Sequence, residues 1–350
     1  MTHGMVSAPQ PEAVEAGALA LKNGGNAVDA AIACAVVQTV VDPQMCGIAG
    51  FGSMHLYLAE RGEHLLLDFH GRAPLAVTPD MWADLIEHEA EDGFGFILKG
   101  RVNEMGYGSI TSPMSLRAYN DALKRYGTMN LATLLEPAID YAESGFMVRP
   151  HVSYFWEVKE GTGRIPQIEK FKCSEGSRKI YFKEDGTLRR PGEILRNPDM
   201  ANTLRRVAMN GVDDFYTGAI ADEVVRDMQA NGGLISHDDL KAAMPEDHEP
   251  LWGEYRGYRI AVPPPPTGSP AGAFACDSSL GFSSKKRRSR RGASARAMHG
   301  ALPEPRRPSR THRVGPTHPS GSAEPLAGSP RRDRGRAALA RRRGSRRDAR

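Results

Sequence analysis

Along the first 270 residues, apolar positions recur in blocks whose period changes from helical to strand-like and back. In PEAVEAGALALK the apolar residues return every third or fourth position behind Pro11, and Gly24-Gly25 closes the run; a helix is predicted with proline in its first turn. NAVDAAIACAVVQTVV is apolar almost all round, which predicts a helix buried at the centre of the fold. Asp42-Pro43 stops it, because a residue before proline is pushed out of helical geometry. After GIAGFG, SMHLYLA and HLLLDF read as two strands joined by the polar turn ERGE.

The helical period returns in SLRAYNDALKRYG and LATLLEPAIDYAESG, closed by Gly127 and Gly145, and again in NPDMANTLRRVAMNG and AIADEVVRDMQANGG. Residues 155–200 are polar and poorly patterned and predict no element. EYRGYRIAVPPPP predicts one short strand running into a polyproline segment. The dense carboxylates of AEDG and PEDHE are expected in solvated loops.

Charge divides the chain in two. Residues 281–350 hold 19 Arg and 2 Lys against four acidic residues, a net of +17, whereas the first 280 residues carry −13. The basic segment has no Ile, Tyr, Trp, Cys, Asn or Gln, and Phe282 is its only aromatic residue. It cannot bury enough apolar surface to offset its ordering entropy, so a disordered tail is expected. Its charge suits phosphates, yet it lacks interleaved aromatics and a folded reading module, so a nucleic-acid partner is not expected.

Candidate chemistry is sparse. The four cysteines show no metal-ligand spacing, and Cys34 reads as a small buried hydrophobe. GIAGFG does not fit a GxGxxG phosphate loop, because residue 49 is Ala and a strand follows; a tight turn is the better reading. NGGNAVDA lacks the Lys-Ser/Thr ending of a P-loop, so its glycines separate two helices. His55, His64 and His70 cluster in and beside the hairpin, but cross-strand packing accounts for the first two without a metal. No basic stretch followed by an apolar one opens the chain, and the longest apolar run is short of the roughly 20 residues that span a bilayer. A cytoplasmic location without a membrane partner is expected.

Six ordered blocks carry a resemblance: MVSAPQPEAVEAGALALKNGGNAVDAAIA, VDPQMCGIAGFGSMHLY, LLLDFHGRAPLAVTPDMW, ALKRYGTMNLATLLEPAIDYAESGF, LRRVAMNGVDDFYTGAIADEVVRDMQANGGLISHDDL and EYRGYRIAVPPPP. In this order they resemble the large-subunit part of the γ-glutamyltransferase (glutathione hydrolase) family over residues 5–270. The resemblance implies an α/β fold, part of the αββα sandwich of N-terminal-nucleophile hydrolases, ending here in the basic tail. It implies a precursor that cuts itself to free an N-terminal Thr, whose α-amino group serves as general base. It also implies a small γ-glutamyl substrate, transfer to water or an amino acid, and no metal or organic cofactor.

Two departures from the family pattern bear on function. Where the family has an Arg in a D-F-R-E-x-A-P segment that grips the substrate α-carboxylate, this chain reads Asp68-Phe69-His70-Gly71-Arg72-Ala73-Pro74. His70 stands at the Arg position, with Arg72 two residues on. Either Arg72 reaches the same spot, as two residues along a strand would allow, or a different acyl group is handled. The alternative is that Arg72 makes an ordinary surface ion pair.

The family's continuation to a cleavage site and a Thr-led strand does not follow the proline run. Thr311-His312 and Thr317-His318 read as chance dipeptides, and no catalytic nucleophile is assigned. The expectation is a frame change within Thr267–Lys285, an inactive chain lacking its small subunit, and the apolar helix of residues 26–41 left without partners. A separately encoded second half, or a nucleic-acid-binding tail, remains the alternative.

Overall fold

In the computed structural model, which describes residues 4–158, 163–265 and 267, the two opening helical blocks form α1 (Pro11–Lys22) and α2 (Ala27–Val41). The hairpins β1 (Gly52–Leu58) with β2 (Glu63–Phe69) and β3 (Ile86–Glu89) with β4 (Phe96–Leu98) follow. Next come α3 (Ser115–Tyr126), α4 (Leu131–Ser144), β5 (Phe146–Met147), α5 (Pro150–Glu157), α6 (Gln167–Phe171), α7 (Glu175–Tyr181) and β6 (Ile194–Leu195). The described chain ends with α8 (Pro198–Asn210), α9 (Asp213–Thr217), α10 (Ala219–Ala230), α11 (His237–Ala242), β7 (Glu246–His248), β8 (Leu251–Tyr255) and β9 (Tyr258–Val262). The basic tail, with its expected disorder and frame change, lies outside the described residues.

The central position expected of α2 is observed, but its expected lack of partners is not. Val28, Ile32, Val36, Val37, Val40 and Val41 are all buried, in one core with residues of α1, α3 and α4. Each buried Val or Ile contributes roughly 1.5–3 kcal/mol relative to exposure. The helix starts where Asn26 accepts from the Val28 and Asp29 N–H groups while Asp29 accepts from the Asn26 N–H, a reciprocal cap. Asp29 is fully buried and also accepts from the Thr128 and Met129 N–H groups and the Thr128 hydroxyl, tying α2 to the α3–α4 junction.

β1 and β2 pair antiparallel from Gly52↔Phe69 to Leu58↔Glu63, and β7 adds to the other edge of β2 with Leu66↔His248, Leu67↔Asp247 and Asp68↔Glu246. Alternation assigns the two faces. Met54, Leu56, Leu67 and Phe69 belong to or pack against the helical core, and Phe69 meets Tyr119 of α3 edge-on at 5.9 Å. Ser53, His55, Tyr57, His64 and Asp68 take the opposite face. One helical layer against one face of an antiparallel sheet is two layers of an αββα sandwich.

Three local expectations are corrected. Residues 155–200 hold α6, α7 and β6, organised by Trp156, Phe171 and Tyr181; the last two rings stack at 4.1 Å, and Trp156 stands edge-on to Tyr181 at 5.2 Å. PEDHE is not a solvated loop, because three of its residues form β7. EYRGYRIAV is not one strand: Arg256 and Gly257 have φ of 51° and 81°, the geometry of a two-residue turn that folds β8 onto β9. Among the described residues no helix is long and apolar enough to cross a membrane.

Candidate functional site

β2 ends at Phe69, so residues 70–72 are not strand and the same-face argument for Arg72 does not hold. The segment instead turns off the sheet at Asp68. Asp68 Oδ1 accepts from the His70 N–H at 2.9 Å and lies 2.6 Å from His70 Nδ1, which makes Nδ1 the donor and leaves Nε2 open. Burial pushes the Asp68 carboxyl up, but the two His70 bonds and the nearby His70 and His248 imidazoles hold it below the usual carboxylate range. His248 Nε2 lies 3.8 Å from Asp68 Oδ2 and 3.6 Å from the Glu246 carboxylate.

Arg72 turns toward β7. Its guanidinium pairs with the Glu246 carboxylate and donates to the Met244 carbonyl at 3.4 Å, with both charged side chains about half exposed. Thus the site segment brings together Asp68, His70, Arg72, Glu246 and His248, with Phe51 6.1 Å from the His70 ring.

The segment is held at both ends. Ser112 N–H donates to the Arg72 carbonyl at 2.9 Å, and Leu75 N–H donates to the buried Asp239 carboxylate at 2.7 Å. Between them Gly71 is pressed onto residue 111: a Cβ there would sit 2.2 Å from Thr111 Oγ1 and 2.8 Å from Thr111 Cβ. No other residue fits there without moving Thr111. The Gly of HGR was the one local sign of this contact; Glu246, His248 and Ser112 carried none.

The other sequence candidates have structural roles. His55 Nε2 lies 3.1 Å from His64 Nδ1, and His64 stands edge-on to Trp252 of β8 at 4.9 Å. Burial, and then the neighbouring His64, lower the His55 pKa. Among the described residues no group of three or more His, Cys, Asp or Glu could hold a metal ion. GIAGFG is a tight turn: Gly50 N–H donates to the Gly47 carbonyl, and the Gly50 carbonyl accepts from Met114 and Ser115 at the start of α3. In NGGNAVDA, the Asn26 side chain takes the first amides of α2, so they are not offered to a phosphate.

The family model described as Gamma-glutamyltranspeptidase matches residues 13–301. Among curated proteins, the chain is 36% identical over 268 residues to "Acylase ACY 1 proenzyme" of Pseudomonas sp. (strain SE83), covering 77% of this chain and 46% of that relative. It is 34% identical over 264 residues to "Glutathione hydrolase proenzyme" of Escherichia coli (strain K12), covering 75% of this chain and 42% of the relative. The chain therefore spans less than half the length of these relatives. Among solved structures, the gamma-glutamyltranspeptidase of Helicobacter pylori superposes with a TM-score of 0.69 at 30% identity, covering 82% of this chain and 79% of that one. The fold is that of the N-terminal-nucleophile hydrolases, and this chain belongs to the gamma-glutamyltranspeptidase family.

Proposed function

We propose that this chain is the acyl-recognising part of an amide-cleaving and acyl-transferring enzyme whose nucleophile is the N-terminal Thr of a second polypeptide. The family's acyl group is γ-glutamyl, taken from glutathione-like amides. The observation that carries the reading is the segment 70–75, fixed by Ser112 and Asp239 so that His70 and Arg72 stand beside the end of β2. Coverage of 46% and 42% of the two proenzyme relatives supports a complementary half.

In this mechanism the chain's residues bind and orient the acyl group and do no covalent chemistry. His70 Nε2 and the charged groups around it, Asp68, Glu246 and Arg72, meet the far end of the acyl group, and the anchored loop fixes its distance from the scissile carbonyl, converting binding into orientation. The Thr hydroxyl of the second polypeptide attacks that carbonyl and passes its proton to its own α-amine. The leaving amine takes that proton as the C–N bond breaks, leaving an ester. Water or an amino acid then attacks the ester, restoring the hydroxyl and releasing the acid or a new amide.

The test uses p-nitroanilides of γ-glutamate and of 4-aminobutyrate. The 350-residue chain alone is expected to release no p-nitroaniline from either, whereas co-expression with a Thr-led second polypeptide gives release from at least one. Turnover by the chain alone, or none by the pair, would sink the proposal.

A further inference from the structure

We infer that the acyl group this site takes has no free carboxylate at its far end, an inference that rests on the function proposed above. A carboxylate is best held by a guanidinium whose fork of N–H donors is unoccupied. In this array the guanidinium charge is already paired, through Nη2. Arg72 is paired with Glu246 and also donates to the Met244 carbonyl. Asp68 adds a second carboxylate, engaged by His70.

With both imidazoles neutral, Asp68, Glu246 and Arg72 sum to a charge of −1. One imidazole must be protonated before the array is even neutral. An incoming carboxylate meets Asp68 and Glu246, and the Arg72 charge that would hold it is already offset by Glu246. An acyl group ending in an ammonium meets the same two carboxylates as partners, and Phe51, 62% exposed beside His70, offers apolar surface for its methylenes. Position 70 itself adds only one ring nitrogen, because the other is committed to Asp68.

The experiment compares two amides that differ only by the carboxylate, L-glutamine and 4-aminobutanamide, titrated against the 350-residue chain by ligand-observed NMR. Wild type is expected to bind 4-aminobutanamide at least about fivefold more tightly, the scale of one partly exposed charge interaction. Glu246→Gln, at an exposed position, frees Arg72 and is expected to raise L-glutamine affinity by about the same factor. Binding of L-glutamine by wild type as tightly as its decarboxylated partner, or indifference of L-glutamine to Glu246→Gln, overturns this inference while leaving the proposed function standing. Failure of both chains to bind either amide overturns the inference together with the reading beneath it.

Discussion

Replacing Asp29 by asparagine tests what the NGGNAVDA block is for. Its carboxylate accepts from four donors: the Asn26, Thr128 and Met129 amides and the Thr128 hydroxyl, at 2.7–3.0 Å. Oδ1 serves Met129, Oδ2 serves Asn26 and the Thr128 hydroxyl, and the Thr128 N–H is shared between the two at 2.9 and 3.1 Å. An amide has one oxygen, so either orientation turns an NH2 group toward the Met129 or the Asn26 N–H and strands that donor in a buried site, whereas the Thr128 N–H reaches either oxygen and the Thr128 hydroxyl can turn to accept. At about 1–3 kcal/mol for a buried donor left unpaired, the loss is roughly 1–3 kcal/mol. In the middle of that range, at about 2 kcal/mol, the melting temperature falls by about 4–8 °C for a folded region of this size.

The acid dependence adds a second check on Asp29. Burial raises its pKa, but the bonds from Thr128, Asn26 and Met129 together bring it below the unfolded value. A depressed folded pKa means stability that is present above the unfolded value of about 3.9 and lost as pH falls through the folded one. Urea unfolding followed by circular dichroism is expected to show a wild-type advantage that is constant from neutrality to about pH 5 and shrinks toward pH 3. A difference under about 0.5 kcal/mol at pH 7, or one flat down to pH 3, would refute the account.

Gly127→Ala places a Cβ 2.8 Å from Asp29 Oδ1 and from the Leu123 carbonyl, with φ already at −79°, so steric crowding alone is expected to cost about 1–3 kcal/mol in the same unfolding assay. Arg125→Lys loses the two-pronged contact to Asp247 at 2.8 and 2.5 Å; both side chains are partly exposed, so a loss within about 1 kcal/mol that shrinks in high salt is expected from melts at two ionic strengths. Asp68→Ala removes the acceptor of His70 Nδ1–H, so a hydrogen-bonded imidazole proton is expected in the NMR spectrum of wild type and not in that of the variant. Because the Asp68 pKa is lowered in the fold, its stabilising share is present above the unfolded carboxyl value and lost on acidification.

The long helices were legible because their signal is local: α1, α3, α4, α8 and α10 each show the helical period within a dozen or so residues, α2 shows an unbroken apolar run, and all end at a glycine or proline signal. β7 was not, since three charged residues in a row carry no strand pattern, and only their bonds to Leu66–Asp68 make them a strand. The same distance hid half of the site. His70 and Arg72 could be found from a seven-residue motif, but Glu246 lies 174 positions from Arg72, and no local feature of PEDHE announces the pairing. The short helices around Trp156 were missed because five to eight residues cannot display a helical period, although their aromatic rings supply that part of the core.

The two halves of the site share one support, α3. Just before its first turn, residues 111–115 hold the segment that carries His70: Thr111 packs on Gly71, Ser112 donates to Arg72, and Met114 and Ser115 grip the Gly50 turn beside Phe51. In its last turn, Arg125 forks onto Asp247, the middle residue of β7. Strand alternation puts Asp247 on the helix-facing side with Leu67 and sends Glu246 and His248 to the other face with Asp68. A polar tripeptide that looks like loop is therefore ordered by its partners: its centre ties the strand to the helix, and its flanks complete the array around His70. The twelve residues of α3 span about 18 Å. Glu246 stands directly opposite Asp68 in the β2–β7 register, so the closeness of the His70 segment to Glu246 is set by that strand pairing, which α3 supports from both ends, and the Arg72–Glu246 pairing that shapes the charge of the site follows from it.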